Sequence, residues 1–108
     1  MKDDLAFMRL WDLYSPLLTD SRREITDLYF NYDLSLGEIA EQKGVSRQSV
    51  SDCLQKCRKK LEEYDEKLGF SKVVENTQAW IQKQRNLHPE WVAELTELEE
   101  KLDATFEE

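Results

Sequence analysis

Apolar positions along this chain recur every three or four residues, the period of an amphipathic helix, and no segment shows the strict alternation of a half-buried strand. Leu5, Met8, Leu10, Trp11, Tyr14, Leu17 and Leu18 make a wide first stripe. Asp3 or Asp4 is placed to cap its start, and Pro16 predicts an end or kink at Ser15, because proline disfavours helix in the residue before it. Thr19 is expected to cap a second helix, with Asp20 in the first turn and Ile25, Leu28 and Tyr29 on its apolar side. "NYD" at 31–33 reads as its stop.

The next segment, "LSLGEIAEQKGVSRQSV" (34–50), reads as two helices joined by a tight turn. Ser35 and Glu38 form an S-x-x-E capping box, and Leu36, Ile39 and Ala40 supply an inward face. Gly44 is the residue able to adopt the left-handed conformation that ends a helix. Val45 is expected to plug the angle between the helices, and Ser46 to cap the second. Val50, Leu54, Cys57, Leu61, Tyr64 and Leu68 then follow at spacings of 4, 3, 4, 3, 4, a heptad seam. A helix from Ser46 to Leu68 would be roughly 34 Å long. Past Gly69, Val73, Val74, Thr77, Trp80 and Ile81 carry a weaker pattern. Pro89 suits a first helical position, and Trp91, Leu95, Leu98 and Leu102 repeat at 4, 3, 4 and are expected to pack on the core. The reading is an all-α protein of about six helices. Its helix-turn-helix has a long second helix and additional N- and C-terminal helices. The expected domains are 1–69, the helix-turn-helix with its N-terminal helix, and 70–108, a helical extension packed on the same domain.

Composition agrees with helix: 108 residues contain only 3 Gly and 2 Pro. The acidic start "MKDDLAF" has neither the basic region nor the long apolar core of a signal peptide, and no apolar run approaches a membrane span. A cytoplasmic protein with reduced Cys53 and Cys57 is expected. A metal or other cofactor is not expected: the two cysteines are short of a ligand set, and the only histidine, His88, lies far along the chain. No nucleophile stands with a positioned base, and no glycine loop is built for phosphate, so an enzyme is not expected.

Charge changes the picture. The net charge is -8, which disfavours nucleic acid as a partner, but it is unevenly spread. Arg47, Lys56, Arg58, Lys59 and Lys60 against Asp52 leave Ser46–Leu61 at +4. From Glu90 to Glu108, eight acids against Lys101 leave -7. Phosphate responds to the local field, which fades over roughly 8 Å at physiological salt. Pairs Arg58–Glu62 and Lys59–Glu63, each four apart, would consume part of the positive charge.

The stretch "LTDSRREITDLYFNYDLSLGEIAEQKGVSRQSVSDCLQKCRKKLEEYDEKLG", Leu18 to Gly69, resembles the YlxM-like family of small bacterial proteins, most specifically in "LSLGEIA" and "GVSRQSV". That resemblance implies an all-helical fold whose helix-turn-helix is similar to region 4 of sigma factors. It also implies a DNA-binding or regulatory role beside the signal recognition particle pathway, and it brings no catalytic site. The sequence departs from the sigma pattern in carrying Ser49, Ser51 and Asp52 where basic or amide side chains line the groove-facing side.

Two readings result. In the first, the protein is a regulator that binds double-stranded DNA with Ser46 to Lys60. Ser46 caps the recognition helix, Arg47, Gln48 and Ser51 face base edges, and Lys56 and Lys59 contact phosphates. In the alternative, the fold serves as an adaptor without DNA affinity, its partner a signal recognition particle component. The heptad seam and the first stripe together offer more apolar surface than a small core needs, and a homodimer is expected.

Overall fold

The computed structural model describes residues 5–105, so the expected cap at Asp3 or Asp4 lies outside the described residues. Six α-helices follow one another: α1 (Leu5–Tyr14), α2 (Asp20–Phe30), α3 (Leu36–Lys43), α4 (Arg47–Leu68), α5 (Phe70–Leu87) and α6 (Val92–Thr105). Among the described residues there is no strand. The chain forms two compact units, Met1–Lys67 and Leu68–Glu108.

Helix ends in the first unit follow local chemistry. Pro16 sits in a short 3-10 turn, Ser15–Leu17, that ends α1. Thr19 caps α2 by accepting from the Arg22 N–H at 3.4 Å. Asp33 takes a left-handed φ of 56° after α2, a conformation Asp tolerates better than most residues. Both capping-box bonds of Ser35 and Glu38 form at 3.1 Å. Gly44 ends α3 at φ 67°, and the Val45 N–H reaches back to the Ala40 carbonyl at 3.0 Å.

The heptad seam of α4 is consumed within the first unit. Val50 and Leu54 pack with Ile39 and Ala40, bordered by Ile25, Leu28, Tyr29 and Leu36. One turn on, Cys57 and Leu61 pack with Phe7, Tyr14 and Leu18. The helix is long because its N-terminal half completes the helix-turn-helix and its C-terminal half seats α1. Phe30 borders both clusters and stacks on Phe7 with ring centroids 4.1 Å apart. The buried Tyr14 hydroxyl donates to Asp65 Oδ1 at 2.7 Å, tying α1 to the far end of α4. Lys43 pairs with Glu24, tying α3 to α2.

Several sequence expectations change. Val45 is 42% exposed and plugs nothing, because the turn directs it outward while Ile39 and Val50 close the helix angle. Leu5, Met8 and Leu17 are exposed as well: the first stripe is wider than the face α4 covers, and Phe7 at 1% exposure is the anchor instead. Leu68 is half-exposed past the end of the seam.

In the second unit, α5 and α6 form a helical hairpin through a short 3-10 turn, Pro89–Trp91. Val74, Ile81 and Leu95 are its buried apolar residues. Arg85 donates to Glu99 Oε2 at 3.1 Å across the pair. Trp91 and Leu98, expected in the core, are each 43% exposed, because one neighbouring helix covers only the Leu95 side of α6. Trp91 stacks instead on His88, with centroids 3.8 Å apart.

Candidate nucleic-acid interface

The candidate interface lies on α4. Ser46 precedes its first residue and accepts from the Ser49 N–H at 3.0 Å, so the hydroxyl is committed to capping. With Val50, Leu54, Cys57 and Leu61 facing inward, a rotation of about 100° per residue places Gln48, Asp52, Gln55, Lys56 and Lys59 on the outward side. All five are exposed.

The expected site residues do not share one face. Gln48, Lys56 and Lys59 lie on the outward side of α4. Arg47 and Ser51 lie on its flank. Arg47 is turned across the first turn of α3, where a methyl group on Gly37 would stand 2.9 Å from its Nη2. Ser51 is half-buried. Gln48 Nε2 donates to Asp52 Oδ1 at 2.9 Å, so the amide and carboxylate form one polar unit.

The basic side chains of α4 also divide. Arg58 bonds Glu62 Oε1 at 3.2 Å and lies 5.6 Å from the Phe7 ring centre. Lys60 leans over the Tyr64 ring at 5.4 Å. Lys56 and Lys59 project into solvent, and among the described residues Lys59 makes no ion pair with Glu63.

An open cleft of about 380 Å³ runs beside the start of α4, lined by Arg22, Ser46, Gln48, Ser49, Asp52 and Lys56. Arg22 comes from α2. Its carbonyl accepts from Thr26 Oγ1 within α2 at 2.8 Å and from Cys57 Sγ of α4 at 3.8 Å, the second contact tying α2 to α4 beside the cleft that Arg22 lines. Cys53 also borders the cleft; its hydrogen bond with Cys57, and then burial, push its thiol well above the usual range and keep it neutral. Among the described residues no group of three or more His, Cys, Asp or Glu could hold a metal ion. Among the described residues no helix is long and apolar enough to cross a membrane.

A capped short helix, a left-handed glycine turn and a long helix with one polar outward face make up a helix-turn-helix. Compared with known proteins, residues 1–101 match the family model described as "Putative helix-turn-helix protein, YlxM / p13 like". The chain belongs to this YlxM/p13-like family. It is similar to a UPF0122 protein of Caldanaerobacter subterraneus subsp. tengcongensis, at 46% identity over 84 residues, 77% of this chain and 72% of that protein. A UPF0122 protein of a Thermoanaerobacter species is 49% identical over 73 residues, 67% of this chain. That match spans 62% of the relative's own length, less than two thirds. A UPF0122 protein of Clostridium perfringens is 44% identical over 75 residues, 69% of this chain and 67% of the relative.

In this YlxM/p13-like chain, sequence spacing overlooked two contributors to the polar surface. Arg22 sits on a different helix, and nothing local to it signals proximity to Ser49 and Lys56. Ser49 lies two turns from Lys56 on the cleft side of α4, a placement helical spacing does contain once the buried seam is known.

Proposed function

We propose that this YlxM/p13-like protein is a regulator that binds double-stranded DNA through the outward face of α4. The single observation carrying this reading is the division of labour on that helix: its seam is buried in the helix-turn-helix, and its opposite face is left polar with Lys56 and Lys59 free in solvent. In this mechanism Gln48 and Ser51 approach base edges, with Arg47 reaching them from its seat on α3. Lys56, Lys59 and Arg22 contact flanking phosphates, and Ser46 holds the start of the helix.

The test is a salt titration of binding to random duplex DNA. Binding is expected at low salt, falling as salt rises with a slope set by the number of phosphates neutralised. Absence of binding at low salt overturns the reading. It leaves the adaptor reading, with a signal recognition particle component as partner, which the acidic net charge and Asp52 on the outward face favour.

A further inference from the structure

Of the outward side chains of α4, Gln48, Asp52, Gln55, Lys56 and Lys59, only Asp52 is an acid. It stands one turn after Gln48, on the same face, and borders the cleft that Arg22 and Lys56 also line. A carboxylate at this place repels the phosphates that the lysines attract. Its geometry gives it a use that simple phosphate binding does not explain.

Asp52 Oδ1 accepts from Gln48 Nε2 at 2.9 Å. A carboxylate can only accept, so the amide turns its nitrogen to Asp52 and leaves Oε1 elsewhere. Among the described residues no hydrogen bond or ion pair engages Asp52 Oδ2 or Gln48 Oε1, and Lys56, four residues on, makes no ion pair with Asp52. Both side chains are exposed. The pair thus carries uncommitted acceptors on both residues and a single remaining amide N–H.

Only two groups donate in the major groove of DNA, the N4 amino group of cytosine and the N6 amino group of adenine. Guanine N7 and O6 and thymine O4 are acceptors, which a carboxylate repels. Adenine sets its amino group beside its own N7 acceptor, whereas cytosine presents an amino group alone, so cytosine is the base that matches a carboxylate.

Resting on the reading of α4 as a DNA-binding helix, we propose that Asp52 is a specificity-determining residue that accepts from the N4 amino group of a cytosine. Gln48 is its positioning residue: one N–H holds the carboxylate in place, and Oε1 stays available to a neighbouring base. Arg22 and Lys56, along the same cleft, supply phosphate attraction that offsets the charge of Asp52. The carboxylate selects mainly by penalty, since every base that fails to donate leaves it facing acceptors.

Wild type, Asp52→Asn and Asp52→Ala are each used to select duplexes from a random pool at low salt, and the retained duplexes are sequenced. Wild type should enrich one position for cytosine, and a duplex carrying another base there should bind about 10- to 100-fold more weakly in direct titration. Asp52→Asn keeps the shape of the side chain but adds a donor, which suits adenine N6 and N7 together, so the preference at that position should move from cytosine to adenine. Asp52→Ala should lose the preference at that position alone and bind unselected duplex at least as tightly as wild type, because a negative charge is gone. A purely structural role for Asp52 would weaken all duplexes alike and redirect nothing. Thermal melting of the three proteins checks folding. A wild type that retains no duplex at low salt overturns the DNA-binding reading and this assignment with it. A wild type that binds duplex without enriching cytosine, or a cytosine preference that survives in Asp52→Ala, overturns the assignment of Asp52 and leaves DNA binding standing.

Discussion

The guanidinium of Arg47, at the start of α4, lies over the backbone of Gly37, in the first turn of α3: a methyl group on Gly37 would meet Nη2 at 2.9 Å and Nε at 3.0 Å. The two helices of the motif are thus joined by more than their apolar faces. Glycine at 37 leaves room for an arginine that would otherwise extend freely into solvent. The group that clashes is the end of a flexible side chain, so Gly37→Ala should displace Arg47 rather than the backbone. Stability should stay within about 1 kcal/mol of wild type, since alanine also favours helix. If Arg47 reads DNA from this seat, Gly37→Ala should weaken duplex binding much as Arg47→Ala does, and the double variant should lose little more. Binding and thermal melting of the three variants check this.

Lys56 and Lys59 should behave as phosphate contacts. Lys59→Ala should weaken binding to all duplexes alike and lower the salt slope by about 1. Gln48→Ala should instead alter preference among sequences, and it frees Asp52 from its amide partner. Affinity for a small panel of duplexes at two salt concentrations distinguishes these outcomes.

Tyr14→Phe removes the hydroxyl that donates to Asp65 at 2.7 Å and leaves the ring in place. A hydrogen bond to a charged group contributes about 1.5–3 kcal/mol, so a loss in that range is expected in urea denaturation. Duplex binding should change little at temperatures where the variant is folded, because this contact lies at the far end of α4.

Phe7→Ala should cost about 3–5 kcal/mol, the range for emptying a fully buried aromatic site. It removes the stacking on Phe30 and the ring beneath Arg58 together. Leu5→Ala, two residues earlier at 79% exposure, should shift stability by no more than about 0.5 kcal/mol. Chemical denaturation of the two variants side by side tests the contrast.

Local chemistry in the sequence determined the helices and their ends. The Thr19 cap, the Ser35–Glu38 box, the Gly44 turn and the Ser46 cap each act over three or four residues, so the chain carries them whatever packs around it. The buried side of α4 was legible for a similar reason, since helical periodicity puts Val50, Leu54, Cys57 and Leu61 on one line. Tertiary structure alone decided what covers that line. It chose Phe7 over Leu5 and Met8 from a stripe too wide to bury whole, left Val45 in solvent, and used the seam inside the chain rather than between copies. It also brought Arg22 to the start of α4 and laid Arg47 across Gly37. Those outcomes depend on contacts between residues far apart in sequence or on different helices, and spacing along a single helix carries no information about them.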